Sequence, residues 1–337
     1  MSLTMKVYKK LFKLFFLLTL GCASPPKLVV NQGLALGTSY TLKLHTDQWS
    51  EAAVENVLDS LFYVVNQSMS TYLPNSDISK INAGQKEIVV DKHFITVYHK
   101  ATEVWKATEG LFDPTVGSLV NAYGFGPEKG IEQLTDQQRD SLLVFTGWQN
   151  LYLSEQGLIT KKDSRTYLDF NALAKGYTLD LIGQYFEQKN IVNYLLEIGG
   201  ELRAKGINPL TQKPWRIAID HPNAQGSRQL IRTLPLSNQA LATSGNYRKN
   251  RIDPQTGKKY VHSINPRTGL ATQTPILSAS VIAPDCMTAD AWATALMLLP
   301  LAEGQKLIAQ DPQLQAYWIV ATVQGEEEYF SQGWPQD

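Results

Sequence analysis

The chain has little cysteine and little histidine. Two cysteines among 337 residues cannot build a multi-disulfide framework, even in an oxidising compartment. Neither a C-x-x-C nor an H-E-x-x-H pattern occurs, which removes the usual zinc signatures. Five histidines leave few candidates for a proton-transfer group. Charge of one sign is not in excess, with 31 Lys and Arg against 31 Asp and Glu, and the lack of a basic stripe argues against nucleic acid. Long apolar runs are missing as well: Leu14–Leu20 is too short for a bilayer core of roughly 30 Å. There is no internal repeat, and no long linker after residue 31.

What is there is ordinary for a globular protein with a substantial core: 43% hydrophobic and 18% charged residues. At the N-terminus Lys6, Lys9, Lys10 and Lys13 precede the short apolar run, the pattern of a secretory signal over residues 1–21. The following Gly21-Cys22 resembles the processing site of bacterial lipoproteins, with Cys22 as the lipidated residue, although Thr19 and Leu20 stand where Leu and a smaller residue are commonest. On that reading residues 22–30, with "ASPPK", form a short stiff tether and residues 31–337 a body anchored by lipid to a membrane, facing the periplasm of a bacterial envelope. Removal of residues 1–21 takes away four Lys and no acid, leaving 27 basic against 31 acidic side chains, a net charge of −4. Cys286 is then without a disulfide partner.

Periodicity places strands in "KLVVNQGLALGTSYTLKLHT", interrupted at Gly37, and a helix in "SEAAVENVLDSLFYVVNQSMSTY" through Val54, Val57, Leu58, Leu61 and Val65. A second helix is expected through Ile95, Tyr98, Ala101, Thr102 and Trp105, stopping at Gly110. Residues 126–150 read as a polar surface excursion with a short helix. "YLDF" reads as a strand and "NALAKGYTLDLIGQYFEQ" as the helix it feeds. "NYLLEIGGELRAKG" reads as two strands turning near Gly199-Gly200, and "WRIAID" as another strand. "AWATALMLLP", "AEGQKLIAQD" and "AYWIVA" close the chain in the same alternation. The class implied is α+β, mixed sheets with packed helices, as one unit of two closely associated lobes.

Four stretches carry candidate chemistry. In "CMTADAWATALMLL", Trp292, Ala295, Leu296 and Leu299 mark an apolar face, while Asp290 and Thr294, four apart, are neighbours on another. A carboxylate beside a hydroxyl is a pair of hard oxygen donors suited to Mg²⁺; Asp also occurs early in helices for the dipole alone. In "LDFNALAKGYTLD" a helix start could hold phosphate on free N–H groups, with Asp169 and Lys175 beside it; the plainer alternative is a turn capped by Asn171 with a solvated Lys. Tyr72 before a Pro turn and Tyr123-Gly124-Phe125 offer ring surfaces, in stacking or in core packing. "HSINPRTG" is either a solvated hairpin loop or a turn that sets His262 into a pocket.

Eight stretches occur together and in order: "LALGTSY", "MSTYLPNSDISKIN", "GLFDPTVGSLVNAYGFG", "LDFNALAKGYTLD", "EIGGELRAKG", "ALATSGNYRK", "HSINPRTG" and "CMTADAWATALM". In this the chain resembles the FAD:protein FMN transferases, the ApbE-like lipoproteins, from residue 30 to the end. The resemblance implies transfer of the FMN half of FAD to a Thr or Ser hydroxyl of a partner flavoprotein, a subunit of a membrane redox complex, with release of AMP and use of Mg²⁺. It assigns Asp290, Thr294 and the Ala172 carbonyl to the metal. Leu36, Tyr72, Tyr123, Gly124 and Phe125 would contact the flavin and its linker, and Asp169, Lys175 and Ile264 would hold the nucleotide. His262 is the candidate base for the acceptor hydroxyl, since imidazole titrates near neutral pH. Leu36 stands where relatives often have Met, Ala293 where some have a further acid, and Asn265 where Asp is common. Two other activities fit the same residues: a pyrophosphatase splitting FAD into FMN and AMP, and a flavin-binding lipoprotein without turnover. Cys286 is expected to be a buried core thiol, not a nucleophile.

Overall fold

The computed structural model describes residues 27–222, 229–246, 250–252, 259–272 and 274–335. The signal, Cys22 and most of the expected tether lie outside the described residues. In chain order the elements are β1 (Lys27–Ala35), β2 (Thr38–Thr46), α1 (Glu51–Met69), α2 (Asp77–Asn82), α3 (Lys92–Ala107), α4 (Gly117–Ala122) and α5 (Asp136–Leu143). They continue as β3 (Leu151–Leu153), β4 (Ile159–Lys161), α6 (Ala174–Gln188), β5 (Tyr194–Ile198), β6 (Glu201–Lys205), β7 (Trp215–Asp220) and β8 (Leu230–Leu236). The last third holds β9 (Gln239–Gly245), β10 (Asn250–Ile252), β11 (Lys259–Val261), β12 (Ile276–Ala283), α7 (Cys286–Leu296), α8 (Leu301–Ile308), β13 (Gln315–Thr322) and β14 (Gly325–Phe330). None of the described helices is long and apolar enough to cross a membrane.

Eight strands form one sheet in the order β1-β2-β5-β6-β9-β12-β13-β14, antiparallel at every pairing. Side chains alternate across it, as the two-residue strand period requires. Tyr194, Leu196 and Ile198 of β5, and Ala279, Val281 and Ala283 of β12, face the helices. Leu195, Leu202, Leu241, Ile282, Tyr317 and Ile319 face the other way, onto the separate β7–β8 hairpin and Trp334. Helices on one face and a hairpin on the other make an α+β protein, as the element pattern implied.

The differences from the sequence reading have local causes. β1 opens at Lys27, inside the stretch expected as tether, because Val29 is buried and Lys27–Val30 pair with Lys43–Thr46. "YLDF" is extended but not a strand beyond a single bridge from Tyr167 to Val116. The Asn82 side chain takes the partner strand's place, accepting from Leu168 N at 2.8 Å and donating to Leu168 O at 2.9 Å. α1 ends at Met69, short of Tyr72, and α3 buries His93, Phe94, Val97, Tyr98, Ala101 and Val104. That face is rotated from the one expected, leaving Ile95, Thr102 and Trp105 only partly covered. α6 starts at Ala174, three residues later than its pattern suggested, and the Asx turn before it belongs to Asp169, whose Oδ1 accepts Asn171 N at 2.7 Å. α7 is buried on nearly all sides between α6, α3 and the sheet.

Candidate functional site

The helix-facing side of the sheet, with α6 and α7 packed on it, holds a charged triad whose two carboxylates are buried. Lys175, in the first turn of α6, extends its Nζ to 3.4 Å from Glu201 Oε1 of β6 and 3.7 Å from Asp290 Oδ2 of α7. Asp290 and Glu201 are 2% and 5% exposed, so little solvent screens the three charges. Burial alone would drive the Lys175 ammonium toward the neutral amine, but the two carboxylates outweigh it and raise its pKa. Asp290 has only a share of that single cation, and burial pushes its carboxyl above the usual range. The triad therefore sets two buried carboxylates against one ammonium, an arrangement in which a further cation would balance the second carboxylate once it ionises.

Close approach of α6 and α7 makes this possible. A Cβ on Gly176 would stand 2.4 Å from the Cys286 carbonyl oxygen and 2.7 Å from Met287 Cα. Without one, the Gly176 amide reaches Asp290 Oδ2 at 3.2 Å. That bond diverts the amide from its helical acceptor four residues back, the carbonyl of Ala172. One turn beyond Asp290, Thr294 Oγ1 lies 3.3 Å from Ser244 Oγ of β9. Asp290 thus meets the start of α6 directly, with Ala172 four residues before the amide it accepts and Thr294 one turn beyond Asp290 on α7. Among the described residues no three or more His, Cys, Asp or Glu converge as a ready-made metal cage. One carboxylate, one hydroxyl and one carbonyl instead make an all-oxygen set of the kind that suits Mg²⁺, which keeps waters and takes substrate phosphate oxygens to complete its octahedron. The one thiol nearby is unsuited to the task. Burial, then Asp180, Asp290 and Glu201, raise the Cys286 thiol well above its ordinary pKa and keep it protonated.

A second group lies around the loop 262–269. Ile264 and Tyr123 are buried together with Leu119, and Phe125 packs against them. Tyr123 Oη donates to Gly269 O at 3.1 Å, so Tyr123 is a strut between α4 and this loop as well as a ring. Gly124 follows at φ 79°, turning the chain out of α4. The His262 ring meets the Phe125 ring edge-on at 6.3 Å between centroids. Ser263 Oγ donates to Asn246 Oδ1 at 3.1 Å, and Asn246 lies two residues after Ser244, the neighbour of Thr294. The loop holding His262 is thereby tied to the strand end that meets α7. Asn265 Oδ1 accepts Arg267 N at 2.8 Å and Thr268 N at 3.3 Å, an Asx turn made by an oxygen that Asp also possesses.

Tyr72 and Asp169 form a third group. Tyr72 is 57% exposed, and its phenol is raised in pKa first by local burial and then by the Asp169 charge. Asp169 N donates to Pro114 O at 2.8 Å, which joins the α6 entry to the segment leading into α4. Leu36 occupies the β1–β2 turn at φ 52° and packs on the two core clusters beneath the helices. A β-carbon residue in the left-handed region is a strained choice. Sequence reasoning missed Glu201, although "EIGGELRAKG" contains it: its role appears only when the Gly199-Gly200 turn sets β6 against α6. Of the amides at the α6 start, that of Gly176 is taken by Asp290.

The ApbE family model matches residues 36–318. An FAD:protein FMN transferase of Haemophilus influenzae is 35% identical over 315 residues, covering 90% of each chain. One from Vibrio cholerae is 35% identical over 320 residues and covers 94% of each. Among solved structures, the flavin transferase ApbE from Vibrio cholerae superposes with a TM-score of 0.82 at 33% identity, over 91% of this chain and 98% of that one. The apo form of the Pseudomonas stutzeri flavinyl transferase ApbE gives a TM-score of 0.80 at 26% identity, over 91% and 96%. With the family match running from the β1–β2 turn to the middle of β13, and so across the charged triad and the His262 loop alike, this chain belongs to the ApbE family.

Proposed function

We propose that this protein transfers the FMN half of FAD to a Thr or Ser hydroxyl of a partner flavoprotein and releases AMP. The observation that carries the reading is the Lys175–Asp290–Glu201 triad at the α6–α7 seam, one ammonium between two buried carboxylates, in a chain whose relatives are named for this reaction. In the reaction the acceptor oxygen bonds to the FMN-side phosphorus, the bridging P–O bond breaks, and the electron pair leaves with AMP. Asp290, Thr294 and the Ala172 carbonyl would hold Mg²⁺, which when bound neutralises diphosphate charge. Lys175, kept protonated by its two carboxylates, offers a fixed cation to the departing phosphate. Tyr123, Phe125, Ile264 and Leu36 supply an apolar wall for the isoalloxazine, with Tyr72 and Asp169 at its open side and Gly124 giving the ligand close access to backbone. His262, set on the loop beside Phe125, takes the acceptor's proton.

The same reading extends to the N-terminus: Cys22 carries lipid and holds the enzyme at a membrane facing the periplasm, beside a redox complex whose flavoprotein subunit is the acceptor. Incubation with FAD, Mg²⁺ and such a subunit, followed by intact-mass analysis, tests the activity. An FMN-sized increment on the acceptor with stoichiometric AMP is the expected result. Free FMN alone would make the protein a pyrophosphatase, and FAD retention without AMP would make it a binding protein.

A further inference from the structure

The face of α6 that starts at Gly176 continues through Asp180, Gly183 and Glu187, the spacing of one side of a helix. Asp180 is 4% exposed, and its carboxylate accepts two amides from the start of α7, Cys286 N on Oδ1 and Met287 N on Oδ2, both at 2.8 Å. The Asp285 side chain takes Thr288 N at 2.8 Å. Three of the amides that a helix start leaves open are thus occupied, two of them by a residue of another helix. Arg203 of β6 lies over this junction, donating to Asp180 Oδ1, to Glu187 Oε1 at 3.0 Å and to Tyr194 Oη at 3.1 Å. Its guanidinium fits because position 183 lacks a side chain: a Cβ there would stand 2.5 Å from both Arg203 Nε and Tyr194 Oη.

β6 therefore builds two rungs from one face, two residues apart. One runs from Glu201 through Lys175 to Asp290. The other runs from Arg203 through Asp180 to the amides of Cys286 and Met287. The second rung meets neither substrate nor metal in the reading above, yet it fixes where α7 begins, and Asp290 follows within about one helical turn. We propose that Asp180 and Arg203 are positioning residues of the transfer reaction, holding α7 so that Asp290 stays in register with Lys175 and with bound Mg²⁺. This inference rests on the metal reading given under the proposed function.

Asp180→Asn keeps the side chain's shape and one acceptor oxygen, but it presents an NH₂ group to an α7 amide and no charge to Arg203. Mg²⁺ titrations by calorimetry and by thermal shift should be run on the full chain as wild type, as Asp180→Asn and as Leu234→Ala. Leu234 lies in the apolar cluster on the far face of the sheet, so its loss lowers Tm without touching α7. The expected result is a Mg²⁺ Kd raised at least about tenfold in Asp180→Asn, the usual cost of losing support behind a metal ligand. Leu234→Ala should keep the wild-type Kd despite its lower Tm. In Asp180→Asn with Arg203→Met, neither charge is buried alone, so Tm should recover while the Kd stays raised. An unchanged Kd in Asp180→Asn, or an equal rise in Leu234→Ala, would reduce this rung to a stability element and overturn the inference alone. A wild type that binds no Mg²⁺ would overturn the metal reading and this inference with it.

Discussion

Gly176→Ala puts the α6–α7 contact to a direct test. The new methyl would lie 2.4 Å from the Cys286 carbonyl oxygen, whereas ordinary contact begins at 3.4 Å, so the two helices must part by about 1 Å at their closest point. Stability changes little on balance: overpacking costs about 1–3 kcal/mol, and replacing Gly by Ala inside a helix returns about 1 kcal/mol. The net loss of about 0–2 kcal/mol lowers Tm by several degrees at most in a chain of this size. Catalysis is affected far more. The same gap carries the Gly176 N–Asp290 bond at 3.2 Å and the Lys175–Asp290 pair at 3.7 Å, and a misplacement of about 1 Å at a reacting centre costs on the order of 10²-fold in rate. The assay pairs AMP release at saturating FAD and Mg²⁺ with a thermal melt of the same sample. Folded Gly176→Ala releasing AMP within about threefold of the wild-type rate, a change of less than 1 kcal/mol, would refute the argument that helix contact sets the site.

Asp290→Asn removes the carboxylate from the triad, and transfer at limiting Mg²⁺ should fall by about 10²–10³-fold in single-turnover assays. Mg²⁺ binding should also depend on pH. Asp290 binds its proton above the usual carboxylate range, so without Mg²⁺ its ionisation costs stability as pH rises through that elevated pKa. Mg²⁺ held by Asp290 as proposed would displace the proton, and calorimetry in buffers of different ionisation enthalpy should detect its release on the acid side, with affinity growing toward neutral pH. His262→Ala should lower single-turnover transfer and abolish the fall in rate toward acid pH within the range of about pH 6 to 9; an unaltered profile would remove the proton-accepting role. Asn265→Asp should leave both Tm and transfer rate near wild type, because the turn uses only Oδ1; a large change in either measurement would contradict that turn geometry.

What the sequence made legible follows the range of the interactions concerned. That Asp290 and Thr294 share one side of a helix was readable because four-residue spacing is local, and "EIGGELRAKG" announced its own hairpin through two consecutive glycines, found at φ 62° and 104°. Glu201 and Arg203 were not readable as site residues, since their partners lie on α6 and only strand register brings them together. "YLDF" misled for a related reason: a strand's hydrogen-bond partner was supplied by one side chain, Asn82, from 86 residues away. The α3 face was rotated because Phe94 stacks edge-on against Phe170 at 5.0 Å, a contact invisible to periodicity. At Gly176 the closely approaching group is the protein's own backbone, at Cys286 and Met287, 110 residues away and so beyond any local pattern.

The two-residue turn between β5 and β6 decides more than a change of direction. By closing Ile198 onto Glu201, it sets the parity of the strand, with acid and guanidinium toward the helices and Leu202 and Ala204 toward the hairpin side. One residue inserted or deleted there would invert that parity, sending both charges into oil and two hydrocarbons into the reaction chamber. Two glycines with no functional group of their own are thus as indispensable to flavin chemistry as the side chains they aim.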